Sequence, residues 1–100
     1  MTLEDIADRI KDKLQFANRL HEKILFDFGE DGKIFLDASQ SPPLFASEGS
    51  DPDLTLIISL DNFAKILSGE QDPNFAFMMG KLKVQGSLGI ALKLNSILES

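Results

Sequence analysis

The apolar residues of this chain change their period near residue 23, and that change decides the fold class. From Thr2 to about Glu22, Leu3, Ile6, Ala7, Ile10, Leu14, Ala17 and Leu20 recur every three or four residues. This spacing predicts an amphipathic helix with one apolar stripe. Thr2 is suited to cap it, and Glu4 and Asp5 place negative charge beside the free N–H groups of its first turn. The period then becomes two. Ile24, Phe26 and Phe28 alternate with Leu25 and Asp27, and Ile34, Leu36 and Ala38 alternate with Phe35 and Asp37. Gly29-Glu30-Asp31-Gly32 lies between them, where a hairpin turn demands residues that tolerate positive φ. Antiparallel strands are expected over 23–28 and 33–38.

The remaining residues extend this α+β pattern. The stretch 39–53 is rich in Ser, Pro, Gly and Asp and reads as a loop, with a short strand around Leu44–Ser47. Leu54 to Leu60 alternates again as a strand. Asp61 is expected to cap a helix over Asn62–Ser68 that stops at Gly69. Asp72 caps the next helix, with Pro73 at its first position and Gly80 at its end. Lys81–Gln85 alternates as a strand, and Ser87 caps a last helix reaching about Leu98. The expected architecture is a mostly antiparallel sheet with helices over its apolar face. Because helices separate the 81–85 strand from the 54–60 strand, it is expected to pair elsewhere in the sheet. One hundred residues suffice for one core, so residues 1–100 are expected to form a single domain.

Charge and composition exclude several classes. A net charge of −6 disfavours nucleic-acid binding. Zero cysteines rule out disulfides, thiolate metal sites and a cysteine nucleophile. No apolar run approaches the roughly 20 residues of a membrane helix. The acidic start, with Glu4, Asp5 and Asp8, does not resemble a signal peptide, so a cytoplasmic location is expected. Charge is also asymmetric: residues 1–73 carry 7 basic and 15 acidic side chains, a net of −8, whereas residues 74–100 carry Lys81, Lys83 and Lys93 against Glu99, a net of +2.

Catalytic machinery is sparse. His21, the single histidine, is expected as a solvated imidazole at the end of the first helix. Asp27, Glu30, Asp31 and Asp37 flank a hairpin without the ligand spacing of a calcium loop, and no metal or cofactor is expected. Gly80, Gly86 and Gly89 do not fit a phosphate-cradling motif. The first two read as punctuation, while Gly89, inside a helical first turn, suits either a close packing contact or a ligand passing over the helix. The conspicuous surplus is apolar. Phe75, Phe77, Met78 and Met79 crowd one short helix and fit either a core or the lining of an apolar cavity.

The run Phe75-Ala76-Phe77-Met78-Met79-Gly80-Lys81-Leu82-Lys83-Val84-Gln85-Gly86-Ser87, continued by Ala91-Leu92-Lys93-Leu94, resembles the signature of the sterol carrier protein 2 family. Upstream, Asp53–Ser59 and Phe63–Gly69 resemble its strand and following helix, with Pro73 at its proline. Ser87 stands where the family frequently has Asn or Asp. The resemblance implies a five-stranded sheet covered on one face by helices, with an apolar tunnel between the layers. It implies non-covalent binding, transfer or presentation of a lipid (a fatty acid, acyl-CoA, sterol or isoprenoid chain) rather than catalysis. The alternative it leaves is an adaptor or structural module acting through a protein partner, for example an enzyme of lipid or quinone metabolism. Transient contact with a membrane surface fits the same reading, and the ending Leu98-Glu99-Ser100 lacks the peroxisomal Ser-Lys-Leu. The residues expected to line the tunnel are Phe63, Leu67, Phe75, Phe77, Met78, Leu82, Leu88, Leu92 and Leu94.

Overall fold

A computed structural model describes residues 2–15 and 20–98. Its first element, α1 (Leu3–Leu14), opens with a reciprocal capping box: the Asp5 N–H donates to Thr2 Oγ1 at 3.1 Å, and the Thr2 N–H donates to Asp5 Oδ2 at 2.9 Å. Ile6, Ile10 and Leu14 of its stripe are buried. The helix is shorter than its apolar spacing suggests. It closes on Gln15, Ala17 lies outside the described residues, and Leu20–Glu22 are not helical. Leu20 is nevertheless buried. A residue can reach the core from extended chain, so a periodic position does not certify a helical backbone. His21 accordingly stands exposed on the approach to the first strand, not at a helix end.

Strands β1 (Lys23–Asp27) and β2 (Lys33–Asp37) form the expected antiparallel hairpin, closed by a 3-10 turn at Gly29–Asp31. Short β3 (Leu44–Ala46) extends β2, and β4 (Leu54–Ile58) lies parallel to β1. Ser59, not Asp61, caps the helix α2 (Leu60–Ser68), its Oγ accepting the Asn62 N–H at 3.1 Å. Leu60, which the alternation assigns to the strand, is therefore the first helical residue. Asp72 caps α3 (Pro73–Met78), β5 spans Leu82–Gly86, and α4 spans Leu88–Leu98 with the Ile90 N–H on Ser87 Oγ at 3.3 Å.

The sheet order is β3-β2-β1-β4-β5. β5 pairs antiparallel with β4 itself, contrary to the crossover expectation. A single helix would return the chain to the start of β4, whereas α2 and α3 together bring it back to the end of β4, where Ile58 faces Leu82.

Ile24, Phe26, Ile34, Leu36, Leu54, Leu56 and Ile58 are buried on the inner face, under the helices. Their alternation with half-buried neighbours in β1 and β4 is the period-two signal made physical. Phe35 points to the other face and is also buried, because the 39–53 loop folds over it. A Cβ on Gly49 would lie 2.6 Å from the Phe35 ring.

Candidate functional site

The inner layer is solid at one end and hollow at the other. At the solid end, the rings of Phe26, Phe28 and Phe63 pack in a triangle, with centroids 5.5 Å from Phe63 to each of the others and 6.4 Å between Phe26 and Phe28. Beyond Phe63, α2, α3 and α4 spread over β4 and the edge strand β5 and leave a cavity of about 280 Å³.

Helical periodicity builds its walls. Phe63 and Ile66 of α2, Asn74 and Phe77 of α3, and Leu88, Ala91, Leu92 and Asn95 of α4 are each spaced three or four residues apart, so each helix turns one stripe inward. Leu94 and Leu98 continue the α4 wall, and Pro73 closes the start of α3. Leu56, Leu82 and Val84 form the sheet side. Leu82 and Val84 are only partly buried, because no strand lies beyond β5 to bring further cover.

The chemistry of this lining is narrow. Twelve of its fourteen residues are apolar, two are amides (Asn74 and Asn95), and among the described residues no charged side chain lines it. Such walls suit hydrocarbon and strongly disfavour an unpaired charge. Lys93 belongs to α4 but turns away: its Nζ lies 2.9 Å from Glu22 Oε1. Partial burial pushes the Glu22 carboxyl up, but the Lys93 hydrogen bond, the His21 backbone N–H and the Lys93 charge together hold it below its usual value. Leu88 and Leu92 line the cavity while remaining 61% and 64% exposed, which marks the open side.

Of the residues singled out from sequence, Phe63, Phe77, Leu82, Leu88, Leu92 and Leu94 come together in these walls. Leu67, Phe75 and Met78 do not. Leu67 is buried in the packed core. Phe75 and Met78 lie three residues apart on the side of α3 away from Phe77, at 52% and 82% exposure. A six-residue helix can turn only one stripe toward the sheet, so its remaining apolar residues face water. Sequence reasoning missed the other eight: Leu56, Ile66, Pro73, Asn74, Val84, Ala91, Asn95 and Leu98. Val84 lies two residues from Leu82 on the same strand face. Ile66, Asn74, Ala91, Asn95 and Leu98 lie three or four residues from a lining residue already singled out, so strand and helical spacing were sufficient for these six.

The structure explains one glycine and removes one reading of another. Gly86 has φ +109°, and a Cβ there would meet the Asp53 carbonyl oxygen at 2.5 Å, so β5 can approach β4 only with glycine at this position. A Cβ on Gly89 would meet nothing closer than Ser87 Oγ at 3.6 Å, so a tight packing contact does not account for that residue.

Comparison with known proteins agrees with this architecture. Residues 3–99 match the model of the SCP-2 sterol transfer family. The chain is 41% identical over 99 residues to "Hydroxysteroid dehydrogenase-like protein 2" of Bos taurus, covering 97% of this chain and 24% of that protein. It therefore spans about a quarter of the length of that relative. It is 30% identical over 103 residues to "Non-specific lipid-transfer protein-like 1" of Caenorhabditis elegans, covering 94% of this chain and 87% of that one. Among solved structures, the fold matches sterol carrier protein 2 of Aedes aegypti in complex with the C16 fatty acid palmitate, with a TM-score of 0.79, 16% identity, and coverage of 98% of this chain and 96% of that one. The chain belongs to the SCP-2 sterol transfer family.

Proposed function

We propose that this domain binds the hydrocarbon chain of a lipid in the cavity between α2, α3, α4 and β5, and carries or presents it without chemical change. The observation that supports this most is the lining itself: a stretch of the inner layer with apolar, uncharged walls beside a core that is otherwise closely packed. The palmitate-bound relative of the same fold and the lipid-transfer relative support the same reading.

The energetics suit a carrier. Each methylene withdrawn from water stabilises the complex by about 0.8 kcal/mol, so a sixteen-carbon chain gains on the order of 10 kcal/mol. Lost ligand freedom and side-chain ordering remove several kcal/mol of this. Measured against a bilayer, whose interior is equally apolar, the net gain is close to zero, and loading and unloading are both accessible. The cavity of about 280 Å³ lies near the lower end of ligand-pocket sizes, which favours a single linear chain over a bulky one. With no cation in the walls among the described residues, the headgroup stays at the mouth beside Leu88 and Leu92.

Presentation to an enzyme is the alternative to transfer, because the dehydrogenase-like relative carries the matching segment as 24% of its length. The test is native mass spectrometry of the protein purified from cells, before and after adding palmitate. A complex of one chain with one lipid is expected. Only lipid-free protein at every palmitate concentration overturns the proposal.

A further inference from the structure

The carrier reading leaves open how the cavity meets its lipid source, and the surface chemistry singles out one region. Of the seven large apolar residues exposed among those described, six lie on α3, its cap Met79, and α4: Phe75, Phe77, Met78, Met79, Leu88 and Leu92. These elements flank the edge strand β5, and Phe77, Leu88 and Leu92 also line the cavity. A concentration of this kind is unusual for a soluble surface and marks a contact site.

Its charge identifies the occupant. The turn from α3 into β5 runs Met78-Met79-Gly80-Lys81, and Lys83 follows on the exposed face of β5. Between Asn74 and Leu98 there is no acidic residue, and Asp27 is the one carboxylate lining the shallow pocket that Lys81 and Lys83 share on the outer face of the sheet. Glu70 and Asp72 lie before the start of α3, and Lys93 is engaged by Glu22. On α1, by contrast, Asp5, Asp8 and Asp12 gather around Arg9 on the exposed side. Apolar side chains able to enter a headgroup layer, with two lysines beside them against the single carboxylate of Asp27, match an anionic lipid surface.

We propose that the α3–β5 turn, with Met78 and Met79 inserted and Lys81 and Lys83 on the headgroups, docks the protein on anionic membranes with the cavity mouth toward the lipid. This rests on the carrier reading for its purpose, but not for its test. Each lysine near an anionic surface is worth roughly fivefold in partitioning, so Lys81→Gln with Lys83→Gln weakens binding roughly 25-fold.

The experiment is flotation of the full chain with vesicles of phosphatidylcholine containing 30% phosphatidylserine or none. The wild type is expected to float with the anionic vesicles and not with the neutral ones, and to be released by high salt. The lysine double variant and, independently, Met78→Ser with Met79→Ser are expected to lose flotation while still loading palmitate from aqueous solution. Undiminished flotation of both variants overturns the docking proposal, as does a wild type that never floats or that forms a dimer broken by the methionine substitutions. Failure of the wild type to load aqueous palmitate, with flotation intact, instead overturns the carrier reading and leaves the docking surface standing.

Discussion

The ammonium of Lys93 lies 2.9 Å from Oε1 and 3.0 Å from Oε2 of Glu22, tying the middle of α4 to the segment that enters β1. Both side chains are partly covered, 30% and 22% exposed, so the pair is less screened than one standing free in solvent. It holds the helix that supplies six of the cavity's fourteen lining residues.

Glu22→Gln is expected to loosen α4, with a stability loss below about 1 kcal/mol. Amide hydrogen exchange should quicken in α4 and stay unchanged in β1 and β2. Acid should imitate the substitution. The Glu22 carboxyl is held below its usual value of 4.5, so its contribution is complete above that pH and disappears as pH falls through the lower, folded-state value. Exchange in α4 that ignores both changes would show that the pair does not restrain the helix.

The helix after β4 provides a test of capping. Ser59→Ala removes the hydroxyl that receives the Asn62 N–H and is expected to cost about 1 kcal/mol in urea unfolding. Asp61→Ala removes only a first-turn charge and should cost about 0.5 kcal/mol or less. The reverse order would move the helix start back to Asp61.

Gly86→Ala forces a side chain into left-handed backbone and against the Asp53 carbonyl. A loss of about 1–3 kcal/mol is expected, read from urea unfolding. Because β5 is held by β4 on one side only, exchange protection should fall first at Leu82–Gln85.

Stability and loading should separate. Phe63→Ala opens the aromatic triangle and is expected to cost about 3–5 kcal/mol. Leu92→Glu changes a largely exposed position and should shift stability by only about 0.5 kcal/mol, yet it places a charge at the cavity wall and should abolish palmitate loading. Met78→Glu, on the outer side of α3, should leave loading from aqueous solution unchanged.

Much of this was legible because periodicity reports directly which way a side chain faces. Ile24 and Phe26 declared their strand, Leu3 through Leu14 declared their helix, and the turn residues Gly29 and Gly32 declared the hairpin. The failures have physical causes. Leu20 keeps the helical spacing and the buried position but not the helical backbone. Ser59 and Asp61 are both good caps, and only the end of β4 chooses between them. The pairing of β5 with β4 depends on two helices retracing the chain, which no local pattern records. At the site, Phe63, Leu82, Leu88 and Leu92 could be read from strand and helix spacing. Phe75 and Met78 were misleading, because hydrophobicity in so short a helix does not say which side meets the sheet and which meets solvent.

The most direct test is a palmitate titration followed by methyl NMR of the full chain. Binding between the helices and β5 predicts saturable shifts at the methyl groups of Leu82, Val84, Leu88, Leu92 and Leu94, with Leu25 and Ile57 on the opposite face of the sheet unmoved. Shifts confined to the opposite face, or no shift at saturating palmitate, would contradict the assignment of this cavity to lipid.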